Sequence, residues 1–227
     1  MLDRGAAASR PVKEPPRPRI PRTLTAAGGA DLELAHDGAY LSLEYGAVRL
    51  SGTGVEDAEF ERCRFTETSF AGVGLERPTF ADVEFTGCDL ANLRLSHARV
   101  AGAAVSGCRM TGIQLVEGGV RNAVFDGCRA DLAGFRFCNL RDVVFRDCNL
   151  SEANFQNADL RNVTFEGCKL VAAQFSNAKM ASVRFTGGCD LNGVRGVQSF
   201  AGASVDASDA ISLLTALATT LGITIDG

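Results

Sequence analysis

The chain has 227 residues, a formal net charge of −4 and a hydrophobic fraction of 46%. This length can bury a substantial core in one large domain or two small ones. No apolar run approaches the roughly 20 residues that a membrane-spanning helix needs, and residues 1–22 contain no continuous apolar segment of the kind found in a signal peptide. We therefore expect a cytoplasmic protein that makes no contact with a membrane.

Residues 1–28 are predicted to form a disordered, basic, proline-rich arm. Five of the six prolines lie within residues 1–22, together with six basic and two acidic residues. Proline removes backbone donors, and this stretch shows no hydrophobic periodicity, so regular structure is not expected. Two roles stay open for the arm. It is either a solvated tail or a segment that contacts nucleic acid or an acidic partner.

Residues 29–55 are predicted to form a β cap at the N-terminal end. The stretch DLELAHDGAYLSLEYGAVRL (31–50) alternates apolar with polar residues, at Leu32 and Leu34 and again at Leu41, Leu43 and Tyr45. Such alternation indicates strands with one buried face. We expect these strands to close the end of the repeat that follows, because an open end would expose core and strand edges.

Residues 56–205 repeat every five residues. Every fifth residue from Phe65 to Phe185 is apolar, and the residue two places earlier is small or aliphatic except at Thr68, Pro78 and Gly118. A spacing of two places both side chains on the same face of an extended segment. Glycine and asparagine are frequent two places after each large residue, where they suit a turn with positive φ. Each quintet therefore predicts a short strand followed by a corner, and the chain coils.

The cysteines and phenylalanines indicate how many quintets complete one turn. Both residue types recur at intervals of 20, although Val105 interrupts the phenylalanine series. Because 20 residues are four quintets, the pattern predicts a four-sided coil of about six to seven turns, spaced about 4.8 Å apart. An extra residue at Gly187–Gly188 is expected to form a bulge or to loosen the last turn. The predicted core columns are Cys88, Cys108, Cys128, Cys148 and Cys168, and Phe65, Phe85, Phe125, Phe145, Phe165 and Phe185.

Residues 206–227 are predicted to contain a C-terminal helix and a short tail. Apolar residues recur at helical spacing, and Gly222 suits the position after a helix. Asp206 or Ser208 is the expected N-cap, so the helix should span about 207–221 and lie across the last turn. The residues at helical spacing are Ile211, Leu214, Ala218 and Leu221.

A second flank of this helix leaves two roles open. The helix either caps the coil alone, or it also provides a face through which two copies form a homodimer. The candidates for that face are Leu213, Leu217 and Leu221.

The repeat resembles that of the pentapeptide-repeat proteins, whose consensus is A(D/N)LxX. The stretch ANFQNADLRN (153–162) nearly matches this consensus, and the resemblance extends over about residues 40–205. It implies an all-β solenoid, namely a right-handed quadrilateral β-helix. It also implies a homodimer, because in relatives a C-terminal helix pairs two coils end to end. The best-known activity in the family is mimicry of DNA toward DNA gyrase and related topoisomerases.

No catalytic, cofactor or metal site is expected. The cysteines lack the close pairs of a zinc site, and the only histidines, His36 and His97, give no thiol an evident base. The carboxylates lie at outward positions on a convex surface, whereas paired catalytic carboxylates need a concave site. The cysteines are therefore interpreted as small, reduced core residues, and the protein is not expected to be an enzyme.

The outer charges separate two functional hypotheses. Residues 59–187 hold 15 acidic and 15 basic groups, whereas a mimic of duplex DNA needs a strongly negative surface. One side carries a basic row interrupted by carboxylates, which gives a candidate interaction surface but no clean nucleic-acid-binding stripe. The function expected first is a non-catalytic module that binds an unknown protein partner through its outer faces. DNA mimicry toward gyrase is the alternative. The basic row is Arg99, Arg121, Arg141 and Arg161.

Overall fold

The chain coils into a parallel β-solenoid of about nine turns with one helix at its C-terminal end. A computed structural model describes residues 14–224, so residues 1–13 of the predicted arm and residues 225–227 of the predicted tail lie outside the described residues. The predicted all-β, right-handed, four-sided β-helix with a C-terminal helix is confirmed, but the expected six to seven turns are too few. None of the helices within residues 14–224 has the length and apolar character to cross a bilayer.

From residue 39 to residue 205, paired strands are parallel and join residues 20 apart, as in Phe125 with Phe145. One sheet of 13 strands wraps two adjacent sides of the coil, a sheet of four strands forms a third side, and isolated bridges join the turns along the fourth. The strands are β1 (Thr25–Ala26), β2 (Ala39–Leu41), β3 (Leu43–Gly46), β4 (Val55–Glu56), β5 (Glu59–Glu61), β6 (Arg64–Thr66), β7 (Gly74–Glu76), β8 (Thr79–Thr86), β9 (Arg94–Ser96), β10 (Arg99–Ser106), β11 (Gln114–Val116), β12 (Gly119–Asp126), β13 (Asn139–Arg146), β14 (Asp159–Glu166), β15 (Lys179–Ala181), β16 (Arg184–Thr186) and β17 (Ser204–Val205); the helix is α1 (Ala210–Leu221), and short 3₁₀ helices span Gly29–Leu32 and Val197–Phe200.

The corners lie two residues after the large apolar residues. Asn122, Asp142 and Asn162 follow one another at the same corner with φ between 52° and 54°. Asparagine and aspartate tolerate this left-handed conformation better than most residues. The strands β12, β13 and β14 therefore bend by a corner in their middle and continue onto the next side.

The core consists of aromatic and aliphatic columns inside the coil. Rings that follow one another by 20 residues stack with centroids between 4.6 and 5.3 Å apart, as Phe145 does with Phe165. Offset stacking at this distance is favourable beyond the apolar area that it buries. All eight cysteines are buried in the core and free.

The N-terminal strands continue the same coil. Tyr40 pairs in register with Phe60, and Tyr45 with Phe65, so both tyrosines extend the aromatic columns. The alternation expected through Leu41 does not hold, because the chain turns at Ser42 with φ 56° and leaves Leu41 exposed. The five-residue period therefore replaces the two-residue period here, and this accounts for the additional turns.

The insertion at Gly187–Gly188 produces a local bulge. Both glycines have positive φ, and the next bridge, between Lys169 and Asp190, joins residues 21 apart. Cys189 remains buried, and its thiol donates to the carbonyl of Phe165. The extra residue is therefore absorbed at the corner, and the core column continues through the last turn.

The C-terminal helix begins later than predicted and is rotated relative to the prediction. It starts at Ala210, and neither Asp206 nor Ser208 is its N-cap, since Asp209 holds that position. Leu213 and Ala216 pack against the core cluster, whereas Ile211, Leu214 and Leu221 are exposed; of the predicted set only Ala218 is buried. The cause of this rotation lies in the polar contacts of Asp209 with the last turn, described below.

Residues 14–28 lie against the solenoid, which differs from the disordered arm expected for this part of the chain. The backbone N–H of Arg19 donates to Asp82 at 3.0 Å, and Glu14 forms an ion pair with Arg146. Strand β1 then pairs with β3. Proline restricts φ to extended values, so a proline-rich segment loses little further conformational freedom when it lies along a surface.

Candidate interaction surfaces

The cysteine columns lie inside the coil, and their thiols form hydrogen bonds with backbone carbonyls. Most of the buried thiols donate to the carbonyl 23 residues earlier, as Cys148 does to Phe125 at 3.4 Å and Cys168 to Phe145 at 3.3 Å, whereas Cys108 donates to Ser106 at 3.4 Å. Burial raises the pKa of Cys138 to about 12 and that of Cys189 to about 12, because an apolar interior disfavours the thiolate. These thiols are therefore protonated at neutral pH and poor nucleophiles. The predicted core residues Cys88, Cys108, Cys128, Cys148 and Cys168 and Phe65, Phe85, Phe125, Phe145, Phe165 and Phe185 all lie in the buried interior.

The predicted basic row is only partly continuous. Arg121, Arg141 and Arg161 pair in register on consecutive turns, but Arg99 pairs with Gly119 and lies in a neighbouring column. Arg161 donates two hydrogen bonds to Asp159, which lowers the pKa of that carboxyl. Arg141 lies 3.5 Å from Asp142. Carboxylates therefore balance much of this positive charge, as the sequence indicated.

Charges of opposite sign also alternate between turns on other sides. Arg64 lies between Glu44 and Glu84, each 20 residues away, and its guanidinium bonds to both. Arg109 pairs with Asp89 one turn below it. Pairs of this kind are solvent-exposed and contribute little stability, but they leave the outer faces close to neutral.

An exposed apolar pair at two corners was not identified from the sequence. Leu132 and Phe137 are 53% and 45% exposed, and both have left-handed backbones with φ 59° and 58°. The other non-glycine residues with positive φ are polar, charged or alanine. The guanidinium carbon of Arg136 lies 5.5 Å from the centroid of the Phe137 ring. We call Leu132, Arg136 and Phe137 the corner patch.

The corner patch has features of a binding site. A branched or aromatic residue in the left-handed region costs roughly 1–2 kcal/mol, and such strain is concentrated at functional sites. The two corners flank one side of the same turn, so both side chains can contact one partner. The sequence signal was available, because corner positions elsewhere hold small, polar or charged residues and Phe137 is out of phase with the other phenylalanines.

The helix α1 presents a second apolar surface. Ile211 is 76% exposed, and Leu214, Leu217 and Leu221 are also exposed on its outer side. Of the residues predicted for a dimer face, Leu217 and Leu221 lie on this side, whereas Leu213 is buried against the last turn. The accessible apolar face of the helix therefore lacks Leu213 of the predicted face and includes Ile211 and Leu214 in addition.

Metal coordination finds no support within residues 14–224, where no three histidine, cysteine, aspartate or glutamate side chains cluster suitably for an ion. The apolar space inside the coil has no polar lining, and a second depression, lined by Gly74 and Arg94 among others, lies on an outer face. The outer surfaces are therefore the parts of the described chain to which partners have access.

The sequence profile described as the pentapeptide repeat region matches residues 53–135, 78–152 and 138–195, which together cover more than half of the chain. A search of curated protein sequences gives no significant match.

Two solved structures are similar to this chain at low sequence identity. HetL, a pentapeptide repeat protein involved in heterocyst differentiation regulation from the cyanobacterium Nostoc sp. strain PCC 7120, is 16% identical over 77% of this chain and 91% of its own, with a TM-score of 0.36. Full-length QnrB1, a plasmid-mediated fluoroquinolone resistance protein, is 21% identical over 79% of this chain and 99% of its own, with a TM-score of 0.35. The five-residue period, the four-sided parallel coil and the profile match lead to one conclusion: the chain belongs to the pentapeptide-repeat family.

Proposed function

We propose that this protein is a non-catalytic interaction module that binds a partner protein through the corner patch. The observation that carries the proposal is the pair Leu132 and Phe137, two large apolar side chains exposed at corners whose backbone disfavours them. Apolar side chains that cluster with an arginine are characteristic of the centres of protein interfaces. A partner would bury both side chains and stack against Arg136.

The test replaces both residues in a way that preserves the fold. Leu132→Asn/Phe137→Asn retains the left-handed corners, since asparagine tolerates them, and should leave the protein equally stable or slightly more stable. Ala172→Asn is the matched control, because Ala172 is a corner residue with φ 57° on the same edge as Leu132, two turns further on. Cell extract is passed over each immobilised protein, and bound proteins are quantified by mass spectrometry. We expect a partner retained by the wild type and by Ala172→Asn but lost from the double variant. Identical retention by all three would contradict the proposal.

A homodimer through α1 is part of the same proposal. Its support is the exposed series Ile211, Leu214, Leu217 and Leu221, which together would present a continuous apolar face to a second copy. Light scattering after size exclusion should show a dimer for the wild type and a monomer for Leu214→Glu. A monomeric wild type at about 100 μM, well above the Kd of a stable dimer, would restrict the helix to a capping role.

DNA mimicry toward gyrase remains the alternative to be tested, with no support from the charge pattern. Arg121, Arg141 and Arg161 follow one another along one side, and cross-turn ion pairs neutralise others. A supercoiling assay with gyrase decides the matter. Inhibition at micromolar concentration of this protein would favour mimicry, whereas unaltered supercoiling would leave the interaction module as the proposal.

A further inference from the structure

The side of the coil that contains Phe145 has an apolar strip on its outer surface. Strand alternation directs Ala104, Val124 and Val144 away from the core, and the three pair in register on consecutive turns. Val144 is only 2% exposed although it lies outside the core cluster. The same column holds Glu84 below the strip, and Thr164 followed by Arg184 above it. We call Ala104, Val124 and Val144 the outer strip.

Residues 14–18 of the proline-rich arm lie against this strip. They line a common groove with Ala104 and Val124, and Pro15 is buried there. Two contacts anchor the segment, one at each end. Glu14 pairs with Arg146, and the N–H of Arg19 donates to Asp82 at 3.0 Å.

The arm shows a three-residue period of burial that the sequence analysis missed. Pro15 is buried, and Pro18, Pro21, Leu24 and Ala27 are partly buried, whereas Pro16, Arg17, Arg19 and Arg22 are exposed; Ile20 is also partly buried. A polyproline II helix has three residues per turn, so residues three apart lie on one side. The residues before each proline are also held in the extended region. Residues 14–21 therefore have the burial pattern of a polyproline II segment with one face on the coil, and the chain bends after them at Arg22 and Thr23.

The dimensions of the arm and of the coil agree. Glu14 and Arg19 are five residues apart, which spans about 16 Å in a polyproline II helix. Their anchors, Asp82 and Arg146, lie three turns apart along the coil axis, about 14 Å at about 4.8 Å per turn, and also four residues apart along the strand direction, so the arm crosses the outer strip obliquely. Residues three apart in a polyproline II segment on this path lie on one side of the segment and can all face the coil.

We propose that the outer strip is a docking site for a proline-rich segment of a partner protein. Such a segment would carry prolines at every third residue with an acidic residue before the first, to pair with Arg146. The chain's own residues 14–19 occupy the site until that segment displaces them. Within residues 14–19, one ion pair, one backbone hydrogen bond and the burial of Pro15 hold the segment in place, so its release is easy compared with release of any core element. The strip lies on the side of the coil opposite the corner patch, so this inference is independent of the proposed function.

The experiment uses the full-length chain and a fluorescein-labelled peptide of residues 12–24. The arm variant Glu14→Lys/Pro15→Gly/Pro18→Gly removes the ion pair, the two facing prolines and their rigidity. Its matched control, Pro16→Gly/Arg17→Gly, alters two exposed residues of the same segment. All chains are first compared by circular dichroism. Trypsin cleavage at the Arg19–Ile20 bond, followed by mass spectrometry, reports release of the arm.

We expect faster cleavage at Arg19–Ile20 in the arm variant than in the wild type or the control. In fluorescence polarisation, the peptide should bind the arm variant at least about tenfold more tightly than the wild type, because an attached segment competes at a high effective concentration. Adding Val124→Glu to the arm variant should abolish peptide binding. Three results would overturn the proposal: no saturable binding to the arm variant, binding that survives Val124→Glu, or a wild-type dimer that the arm variant loses, which would indicate exchange of arms between two copies.

Discussion

The carboxylate of Asp209 accepts a hydrogen bond from the backbone N–H of Cys189 at 3.0 Å. The other carboxylate oxygen accepts from Gly188 at 3.1 Å, and the hydroxyl of Ser212 accepts from Leu191 at 3.0 Å. Side chains from the start of α1 thus take the place that the carbonyls of a following turn would occupy. The open edge of the last turn is satisfied in this way, and the helix is fixed with Leu213 inward.

Replacement of Asp209 by alanine should destabilise the C-terminal end. It leaves the buried N–H of Cys189 without an acceptor and removes the acceptor of the exposed Gly188, so we expect a loss of about 1–3 kcal/mol in the free energy of unfolding. Asp209→Asn keeps one acceptor oxygen and should lose less. Urea titrations of the three proteins measure the difference. Equal stability of Asp209→Ala and wild type would show that the helix does not close the last turn.

Enlarging Val105 should stabilise the coil. Val105 pairs with Phe85 and Phe125 in the aromatic column and borders an apolar cavity of about 50 Å³. Val105→Phe would restore the stack, and we expect a gain of about 0.5–2 kcal/mol. The same change at Val163, which is fully buried beside Phe165, should instead cost about 1–3 kcal/mol through overpacking. A loss of stability in both variants would mean that the cavity cannot accept a ring.

The hydroxyl of Tyr45 should lower the free energy of unfolding. It is buried and has no hydrogen-bond partner among the described residues, and burial raises the pKa of this phenol further above its usual value. Tyr45→Phe removes the unsatisfied group, so we expect a gain of about 1–3 kcal/mol. Tyr40→Phe is the contrasting control, since the Tyr40 hydroxyl accepts from the N–H of Ala35 at 3.0 Å and its loss should destabilise. Thermal melts of both variants give the comparison.

Stability should fall at alkaline pH because of the buried thiols. In the unfolded chain a thiol ionises near its ordinary pKa of about 9, whereas in the fold Cys138 and Cys189 have a pKa of about 12. The folded state therefore binds more protons than the unfolded state between pH 9 and 12, so the free energy of unfolding decreases as the pH rises through that window. Each such thiol lowers the free energy of unfolding by about 1.4 kcal/mol per pH unit within that window. Urea titrations at pH 8, 9, 10 and 11 should show a shallower decline for Cys138→Ala than for wild type, and parallel declines would refute this cause.

The period of five explains why the repeat could be predicted from the sequence. Large apolar residues such as Phe155 recur every five residues, a spacing that neither a helix nor a flat strand produces. A coil with a corner in every quintet is the structure that fits this spacing. The same rule accounts for Thr68, an exception in the sequence. Its hydroxyl donates to the carbonyl of Tyr45 at 3.2 Å, which is the bond that Cys88 makes one turn later with Phe65.

The structure of the two ends of the solenoid was less predictable, because contacts outside the repeat determine it. Leu41 follows a two-residue alternation in the sequence, but the corner at Ser42 interrupts it. Helical spacing alone favoured Ile211 and Leu214 as the buried side of α1, whereas the hydrogen bonds of Asp209 fix the opposite rotation. Local patterns cannot reveal such contacts with a distant turn.

The candidate surfaces are marked in the sequence by patterns other than the five-residue period and the helical period. The arm has a period of three in prolines, which ordinary hydrophobic periodicity does not register, so Pro15 and Pro18 were grouped with disorder. The corner patch could have been recognised from Leu132, because a large apolar residue at a corner position departs from the repeat. The basic row was readable from the sequence, but the offset of Arg99 from Arg121 needed the strand register.

The parallel register between turns also has a mechanical consequence. Each turn is bonded to the turns before and after it, so tension applied to the two termini should peel the coil from an end rather than shear it throughout. Every detached turn of 20 residues would lengthen the chain by roughly 70 Å of contour. A pulling trace should thus consist of evenly spaced steps, and the end closed by Asp209 should detach at a higher force in wild type than in Asp209→Ala.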